Sequence, residues 1–299
     1  MNLAVVMRTK NSDWVVEQAL RALHSQTILD FELVVIDSGS TDRTLEIVRA
    51  YGPTLIRIPP SSYIPGAVLN RAIEATKGDT LIFQNSDAVP LSPSVLERLV
   101  EPFHDPAVVA TFARQIPRPE AHTWVRRDYE ASFPALGEAP AWMPFSLPLA
   151  AMRRSAWERH PFHMAAWGSE DIEWGTWARS RGHVVKYVPN AMVMHSHNYS
   201  LREIFGRRFI EGEADAFIHG DCISRSETMA RTLRSTANDI FYHARRGDWM
   251  RLPESPLRRA VFHLGYHYGH VHGERQRTGA SADKQRGQRY VLDGSAGLG

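Results

Sequence analysis

The segment FQNSDAVP, residues 83–90, brings Asn85, Ser86 and Asp87 to the end of an apolar run of β-strand type. A carboxylate in that position is a hard oxygen ligand, and Mg²⁺ or Mn²⁺ takes one or two carboxylates and fills its other positions with water and substrate phosphates. The segment therefore predicts a divalent-cation site at Asp87. The alternative is a plain strand-to-turn aspartate, which Asn85 favours because it stands where a second acid would be expected.

Two histidines, His195 and His197, lie two residues apart in the segment HSHNY. On a predicted strand their side chains would point to the same face, where one imidazole could complete a metal shell begun by Asp87. The alternative is a histidine packed or hydrogen-bonded near a loop, which is the commoner fate of a single histidine. The later segment GYHYGHVHGE is instead predicted to lie on the surface of an amphipathic helix, since no acidic partner stands at helical spacing from its histidines, His267, His270 and His272.

The segment WGSEDIEWG carries two adjacent carboxylates, Glu170 and Asp171, at a predicted helix start. Ser169 can cap this helix, and the helix dipole favours the ionised form of acids in the first turn. An ionised carboxylate at the mouth of a cleft can accept a proton from a hydroxyl nucleophile, a role worth about 10²–10⁴-fold in rate. The alternative is a capped helix terminus with no chemical role.

The segment VVIDSGSTDRT predicts a strand that ends at Asp37, followed by two small residues and a capped helix. This arrangement places a carboxylate and free backbone N–H groups where they can hold a ribose or a base edge. An ordinary turn followed by a helix cap explains the same residues equally well. The neighbouring loop RTKN offers Thr9 and Asn11 as further base contacts.

The first hundred residues alternate short β-branched runs with helical patterns, which predicts a mostly parallel sheet with helices on both faces. Ligands of such sheets collect at the carboxyl ends of the strands. The loops RTKN, DSGSTD and NSDA all fall at strand ends, so we expect them to converge on one crevice. Beyond residue 200 the pattern predicts several helices.

Composition narrows the function classes. The 299 residues suffice for one large domain with an appendage. The chain contains 31 Arg and 4 Lys, but its net charge of +2 implies no strong attraction to nucleic acid. The planar guanidinium group of arginine is suited to binding diphosphates. The single cysteine, Cys222, excludes an intrachain disulfide and fits a reducing compartment. Without an apolar run of about 18 residues or a secretion signal, we expect a cytoplasmic protein that lacks a membrane span.

Taken together, the blocks VVIDSGSTDRTLEI, NSDAVP and SEDIEW resemble the family 2 glycosyltransferases of the GT-A (nucleotide-diphosphosugar transferase) fold, over roughly residues 3–212. TFARQIPRPEA, AAMRRSAWERHPF and HSHNYSLREIFGRRFIEG are most similar to bacterial rhamnosyltransferase-type enzymes. The resemblance implies an α/β fold with a mixed, mostly parallel central sheet and helices on both faces. It also implies a catalytic domain over residues 1–200. The helical patterns predict a helical extension over 201–273, and the polar, glycine-rich composition predicts a mobile tail over 274–299.

The resemblance also implies roles for residues of this chain. The catalytic base would be Asp171, with Glu170 as its neighbour. The divalent cation, Mg²⁺ or Mn²⁺, would be bound by Asp87 with His197 or His195. The nucleotide pocket would contain Thr9, Asn11, Asp37, Asp42 and Ser86. The diphosphate would meet Arg207 and Arg208, and the acceptor sugar would stack on Trp167 and Trp142.

The implied activity is inverting transfer of a sugar, best matched by rhamnose, from a nucleoside diphosphate to a hydroxyl group of a glycan or lipid-linked acceptor in cell-surface polysaccharide synthesis. The sequence leaves undecided whether the protein contacts the inner face of the membrane and whether it forms a homodimer. Two other functions compete. A sugar nucleotidyltransferase is disfavoured because MRTKNSDW contains no glycine. A non-catalytic nucleotide- or glycan-binding protein is favoured by Asn85 and disfavoured by the presence of both Glu170 and Asp171.

Overall fold

The computed structural model describes residues 2–164, 167–220 and 223–281. Cys222 and the part of the predicted mobile tail that follows residue 281 lie outside these ranges. The chain divides into two compact units. The sheet unit comprises Met1–Met164 with Glu170–His197, and the helical unit comprises Ala165–Ser169 with Asn198–Gly299.

The described residues of the sheet unit form one eight-stranded sheet with the order β3-β2-β1-β4-β7-β6-β8-β5. Four of the seven neighbouring pairs are parallel and three, β4–β7, β6–β7 and β5–β8, are antiparallel, so the predicted mixed and mostly parallel sheet is confirmed. The strands are β1 Leu3–Thr9, β2 Phe31–Asp37, β3 Thr54–Arg57, β4 Thr80–Asn85, β5 Val89–Pro90, β6 Val108–Ile116, β7 Leu149–Arg153 and β8 Val184–Met194.

Alternation of apolar residues explains why this sheet carries helices on both faces. Val5 and Met7 of β1 pack into one buried cluster, whereas Ala4 and Val6 of the same strand pack into a second. Each fully buried aliphatic side chain contributes about 1.5–3 kcal/mol. The helices of the unit are α1 Val16–Leu23, α2 Thr44–Arg49, α3 Pro65–Glu74, α4 Val95–Val100, α5 Thr123–Ser132, α6 Arg154–Arg159 and α7 Glu170–Ser180.

The parallel register brings the predicted polar loops to one edge of the sheet. Thr9 at the end of β1 is opposite Asp37 at the end of β2, and Arg8 is opposite Asn85 at the end of β4. The predicted strand through HSHNY is shorter than expected, because β8 ends at Met194 and its pairing with β5 ends there too. The two histidines therefore lie just beyond the strand.

The helical unit contains the three long helices α8 Leu201–Ile218, α9 Arg225–Arg245 and α10 Glu254–Arg277, which confirms the predicted helical extension. Ser200 and Glu203 form a capping box at the start of α8. Helices α8 and α10 approach closely because glycines line their contact: a Cβ on Gly269 would lie 1.9 Å from the carbonyl oxygen of Phe209. No helix among the described residues is long and apolar enough to cross a membrane.

This close approach overturns one sequence prediction. His270 and His272 are buried within the helical unit, not on its surface. The acidic partner that the sequence pattern lacked comes from another helix, since Nε2 of His272 lies 3.8 Å from Oε1 of Glu213 on α8. Helical spacing within one segment could not reveal a partner about sixty positions away.

Candidate active site

Asp87, His195 and His197 converge at the end of β4 and β8. Nε2 of His197 lies 2.9 Å from Oδ2 of Asp87, and Nε2 of His195 lies 3.6 Å from Oδ1. One ligand atom from each of the three residues lies within 4.8 Å of the others. Within the described ranges this is the one group of three histidine, cysteine or acidic residues arranged so.

Neighbouring side chains orient His195 for metal binding. Its Nδ1 donates a hydrogen bond of 2.7 Å to Oε1 of Gln115, so Nε2, which faces Asp87, is the nitrogen left to bind a cation. Gln115 is itself held by Ser146, whose hydroxyl oxygen accepts from Nε2 of Gln115 at 2.9 Å. Hydrogen bonds of this kind fix the tautomer and ring orientation of metal-binding histidines. A carboxylate with two imidazoles is a donor set that suits a divalent transition metal such as Mn²⁺.

Arg118 ties the two segments of this cluster together. Its guanidinium donates a hydrogen bond of 2.6 Å to the backbone carbonyl of Asp87, and its backbone N–H donates to the hydroxyl of Ser196 at 2.9 Å. The side chain is buried, and the guanidinium lies 4.7 Å from the ring centroid of Trp14. Arg118 thus fixes Asp87 relative to the histidines on either side of Ser196.

The cluster is arranged to keep Asp87 ionised. Burial alone would raise the pKa of Asp87, but the charge of His195 and the hydrogen bond from His197 outweigh it and hold that pKa well below its usual range. Asp87 is therefore a carboxylate, which is the form that binds a cation.

Glu170 is committed to an ion pair and is not free to act as a base. Nη1 of Arg8 lies 2.6 Å from Oε1 of Glu170, and both side chains are largely buried. The same guanidinium donates through Nη2 to Oδ1 of Asn85 at 3.2 Å. Asn85, the residue that replaces a second acid, therefore accepts from Arg8 and connects the Glu170 pair to the strand that leads to Asp87.

Asp171 lies beside this pair at the start of α7 and has no cationic partner of its own among the described residues. Its Oδ1 accepts from the backbone N–H of Ile172 at 2.9 Å, and its Oδ2 accepts a long hydrogen bond of 3.4 Å from Leu147. Burial and the charge of Glu170 raise the pKa of Asp171 to about 7. A carboxylate with a pKa near neutrality is suited to accept a proton at physiological pH.

The predicted nucleotide residues form a connected set of loops. Asp37 is completely buried, and its carboxylate accepts from the backbone N–H groups of Gly39 and Ser40 and from the hydroxyl of Ser40. Gly39 has a φ of 85°, and a Cβ there would lie 2.7 Å from Pro60, so this turn requires glycine. The buried carboxylate of Asp37 thus fixes the conformation of the loop through these hydrogen bonds.

Further hydrogen bonds join the loop after β1 to the loops after β2 and β4. The side-chain oxygen of Asn11, a residue with a left-handed φ of 46°, accepts from the backbone of Thr41 at 2.9 Å. Asp42 accepts from the backbone N–H of Asp13 at 3.1 Å. Ser12 and Ser86 share a hydrogen bond of 2.8 Å. The hydroxyl of Thr9 is buried and has no hydrogen-bond partner among the described residues.

The remaining predicted residues are an exposed tryptophan of the sheet unit and three residues of the helical unit. Trp142 belongs to the sheet unit and is 60% exposed. Trp167, Arg207 and Arg208 belong to the helical unit. There the guanidinium of Arg207 lies 4.1 Å from the ring centroid of Tyr199, and that of Arg208 lies over Phe262 and pairs with Glu211. Their roles at the diphosphate and the acceptor stay predictions.

Three residues of the site were not singled out from the sequence: Arg8, Gln115 and Arg118. Gln115 and Arg118 lie in TFARQIPRPEA, a segment noted only for its family resemblance. Arg8 follows an apolar strand directly and precedes Thr9. A cation at that point is a signal in itself, because a charge at the end of a buried strand needs a partner.

Comparison with known proteins supports the family that the sequence motifs resemble. The family model described as Glycosyl transferase family 2 matches residues 4–165, which are 162 of the 299 residues. The chain is 30% identical over 229 residues to the O-antigen chain rhamnosyltransferase RfbN of Salmonella typhimurium, covering 71% of this chain and 72% of that protein. It is also 30% identical over 207 residues to the O-antigen chain rhamnosyltransferase WbaN of Salmonella anatum, covering 64% of each.

Solved structures share the fold. The mannosyltransferase PcManGT of Pyrobaculum calidifontis, in complex with GDP-Man and Mn²⁺, has a TM-score of 0.58 at 19% identity and covers 98% of this chain and 79% of its own. Glucosyl-3-phosphoglycerate synthase of Mycobacterium tuberculosis, with Mn²⁺ and UDP, has a TM-score of 0.54 at 23% identity, covering 73% of this chain and 80% of its own. At these identities the likeness establishes the fold alone.

Proposed function

Because this chain belongs to glycosyl transferase family 2, we propose that it transfers rhamnose from a nucleoside diphosphate to a hydroxyl group of a lipid-linked glycan. One observation carries the proposal: Arg8 joins Glu170, the neighbour of Asp171, to Asn85, two residues before Asp87, so that one edge of the sheet holds an Asp–His–His cluster and a carboxylate whose pKa lies near 7. The first group fits a cation that binds a diphosphate. The second fits a base that activates a hydroxyl.

The cation would be held by Asp87, His195 and His197. The pre-set tautomer of His195 and the ionised state of Asp87 support this assignment. Two imidazoles make Mn²⁺ a better fit than Mg²⁺. When bound, such an ion neutralises the charge that develops on the departing diphosphate.

The nucleoside would occupy the edge formed by the ends of β1 and β2. The unpartnered hydroxyl of Thr9 supports a contact there, with Asn11, Asp42 and Ser86 holding the surrounding loops. Asp37 contributes by fixing the turn that carries Gly39 and Ser40. The fork of Arg207 or Arg208 would suit the diphosphate.

Asp171 would act as the catalytic base. Its carboxylate takes the proton of the acceptor hydroxyl while that oxygen forms a bond to the anomeric carbon. The bond from the anomeric carbon to the phosphate oxygen breaks on the opposite face, and the nucleoside diphosphate leaves. A single displacement with one base predicts inversion at the anomeric carbon. Arg8 keeps Glu170 neutralised, so that Asp171 is the carboxylate left to accept the proton.

Replacing Arg8 tests this division of roles. In Arg8→Met, Asp171 loses the positive charge that holds its pKa down, so that pKa rises further and less of the base is ionised at pH 7. We expect kcat/KM at pH 7 to fall roughly threefold to tenfold and the acidic limb of its pH profile to move upward. Arg21→Met is the control, because its partner Glu17 is exposed and such pairs contribute about 0–1 kcal/mol. A uniform loss with an unmoved limb would show that Arg8 is merely structural.

The donor is tested by thermal unfolding of the full chain with dTDP, UDP, GDP and CDP, each with and without Mn²⁺. A ligand at 100 times its Kd stabilises a protein by about 2.7 kcal/mol. Because dTDP-rhamnose is the donor that the proposal favours, we expect dTDP to raise the melting temperature most, and only with Mn²⁺ present. A larger effect of UDP or GDP would reassign the donor base, and no effect of any nucleotide would remove the physical basis of the transferase proposal.

The acceptor proposed here is a growing glycan on a lipid carrier, reached at the inner face of the membrane. The names of the two O-antigen relatives support it. Trp142, an exposed aromatic of the sheet unit, offers a face on which an acceptor sugar can stack. Product analysis with lipid-linked and free oligosaccharide acceptors distinguishes the two forms, and only the lipid-linked form is expected to react well.

A further inference from the structure

Helix α9 presents an apolar face that no other described part of the chain covers. This outer face of α9 consists of Met229, Leu233, Ile240 and Phe241, which are 41–63% exposed. Their spacing of four, seven and eight positions places them on one side of a helix. The buried residues of the helix, Thr228, Asp239 and His243, lie on an adjacent side of α9. Singly exposed apolar residues are common on protein surfaces, but four on one face of a 21-residue helix are not.

Two further apolar side chains are exposed a few residues after α9 ends. Trp249 and Met250 follow the end of α9, and they are 65% and 88% exposed. Tryptophan is enriched where proteins meet the headgroup region of a bilayer. Methionine adapts its shape to irregular apolar surroundings.

Positive charge borders the outer face. Between Arg225 and Arg251 there are six arginines and three acids. Two of the acids are already neutralised: Glu227 pairs with Arg231, and Asp239 forms a buried two-pronged pair with Arg259. Arg225, Arg234 and Arg245 are exposed and form no ion pair with any described residue. The guanidinium of Arg245 lies 4.3 Å over the ring of Phe241, so charge and apolar surface are contiguous.

We propose that the outer face of α9, with Trp249 and Met250, docks on an anionic lipid surface. A helix that lies in a bilayer interface has apolar residues on one side and Arg or Lys at its border. A second copy of the chain fits this face less well. A two-fold dimer sets a surface against itself, and it would bring the unpaired arginines of both copies together. Anionic headgroups instead complement these charges, each worth about fivefold in binding.

The proposal goes beyond the transferase function and stands without it, because docking needs no donor. Its test is co-sedimentation of the full chain with vesicles of phosphatidylcholine alone or with about 30% phosphatidylglycerol. We expect the chain to bind only the anionic vesicles, and less in about 0.5 M salt than in about 0.1 M. Arg234→Gln/Arg245→Gln should weaken binding by roughly thirtyfold. Leu233→Gln/Phe241→Gln should weaken it by at least roughly tenfold.

The matched control is Leu29→Gln/Arg49→Gln, which changes an exposed leucine and an exposed arginine of the sheet unit and should bind as the wild type does. All the substituted positions are exposed, so melting temperatures should stay near that of the wild type. Absence of binding to anionic vesicles at low salt would overturn the proposal. So would binding as strong as that of the wild type by both variants of α9. A dimer in sedimentation velocity that Leu233→Gln/Phe241→Gln dissociates would assign the face to a second copy instead.

Discussion

Asp171→Asn is expected to lower kcat about a thousandfold while leaving nucleotide binding intact. The amide keeps the shape and the hydrogen bond to Ile172 but cannot take up a proton. General-base catalysis contributes about 10²–10⁴-fold, and Asp171 is the carboxylate of the pair that Arg8 leaves unneutralised. The measurement is the release of nucleoside diphosphate in the presence of acceptor, together with a nucleotide-induced melting shift that should match the wild type.

The same variant should be more stable than the wild type at alkaline pH. The folded-state pKa of Asp171, about 7, lies above that of an unfolded aspartate. Stability from this group is present below the unfolded pKa and is lost as the pH rises through 7, since the buried carboxylate must then ionise. Asparagine does not titrate, so the advantage of Asp171→Asn should grow between pH 5 and about pH 8 to the order of a few kcal/mol.

Glu173→Gln provides the control for the activity and the stability measurements on Asp171→Asn. Glu173 lies on the same first turn of α7, but it pairs with His160 at 2.9 Å and is not part of the Arg8 network. We expect its activity to stay within a few fold of wild type. If Asp171→Asn kept most of its activity, Asp171 would not be the base.

Asp87→Asn is expected to abolish the dependence of nucleotide binding on Mn²⁺. An amide oxygen carries no charge, and the two imidazoles alone hold a divalent ion weakly in competition with water. Loss of a cation that neutralises a leaving diphosphate should lower kcat by roughly 10²–10⁴-fold, which corresponds to several kcal/mol. The readouts are turnover and the dTDP-induced melting shift, each titrated with Mn²⁺.

Asp30→Asn is the matched control, because Asp30 is an exposed aspartate of the sheet unit remote in sequence from the cluster. Its Mn²⁺ titration should superimpose on that of the wild type. His197→Gln should show an intermediate loss, since Asp87 and His195 remain. An Asp87→Asn variant that kept the full Mn²⁺-dependent shift would place the cation elsewhere.

Much of the sheet unit could be predicted from the sequence, because strand and helix patterns there are local. Asp87, His195, His197 and Asp171 were identified as candidates from residue type and position alone. The reason given for the two histidines was partly wrong, because β8 ends at Met194 and the histidines follow it. The cluster forms from the chain beyond the strand, not from one strand face.

The parts that were missed depend on contacts between distant segments. The sequence contains both Arg8 and Glu170, but neither segment predicts that the two side chains form an ion pair. Gln115 orients His195 from eighty positions away. His272 was assigned to a helix surface because its partner Glu213 lies on another helix. Spacing rules describe one helix or strand at a time, so partners that only the tertiary fold brings together escape them.

The ion pair between Arg8 and Glu170 also bears on the order in which the protein can assemble during its synthesis. The two residues are 162 positions apart. At about 5–20 residues per second, a ribosome makes Glu170 roughly 8–32 seconds after Arg8. A cation buried without its partner costs several kcal/mol, so the end of β1 has to stay hydrated during that interval. The end of β1 therefore reaches its final, buried state only after the helix that carries Glu170 has been made.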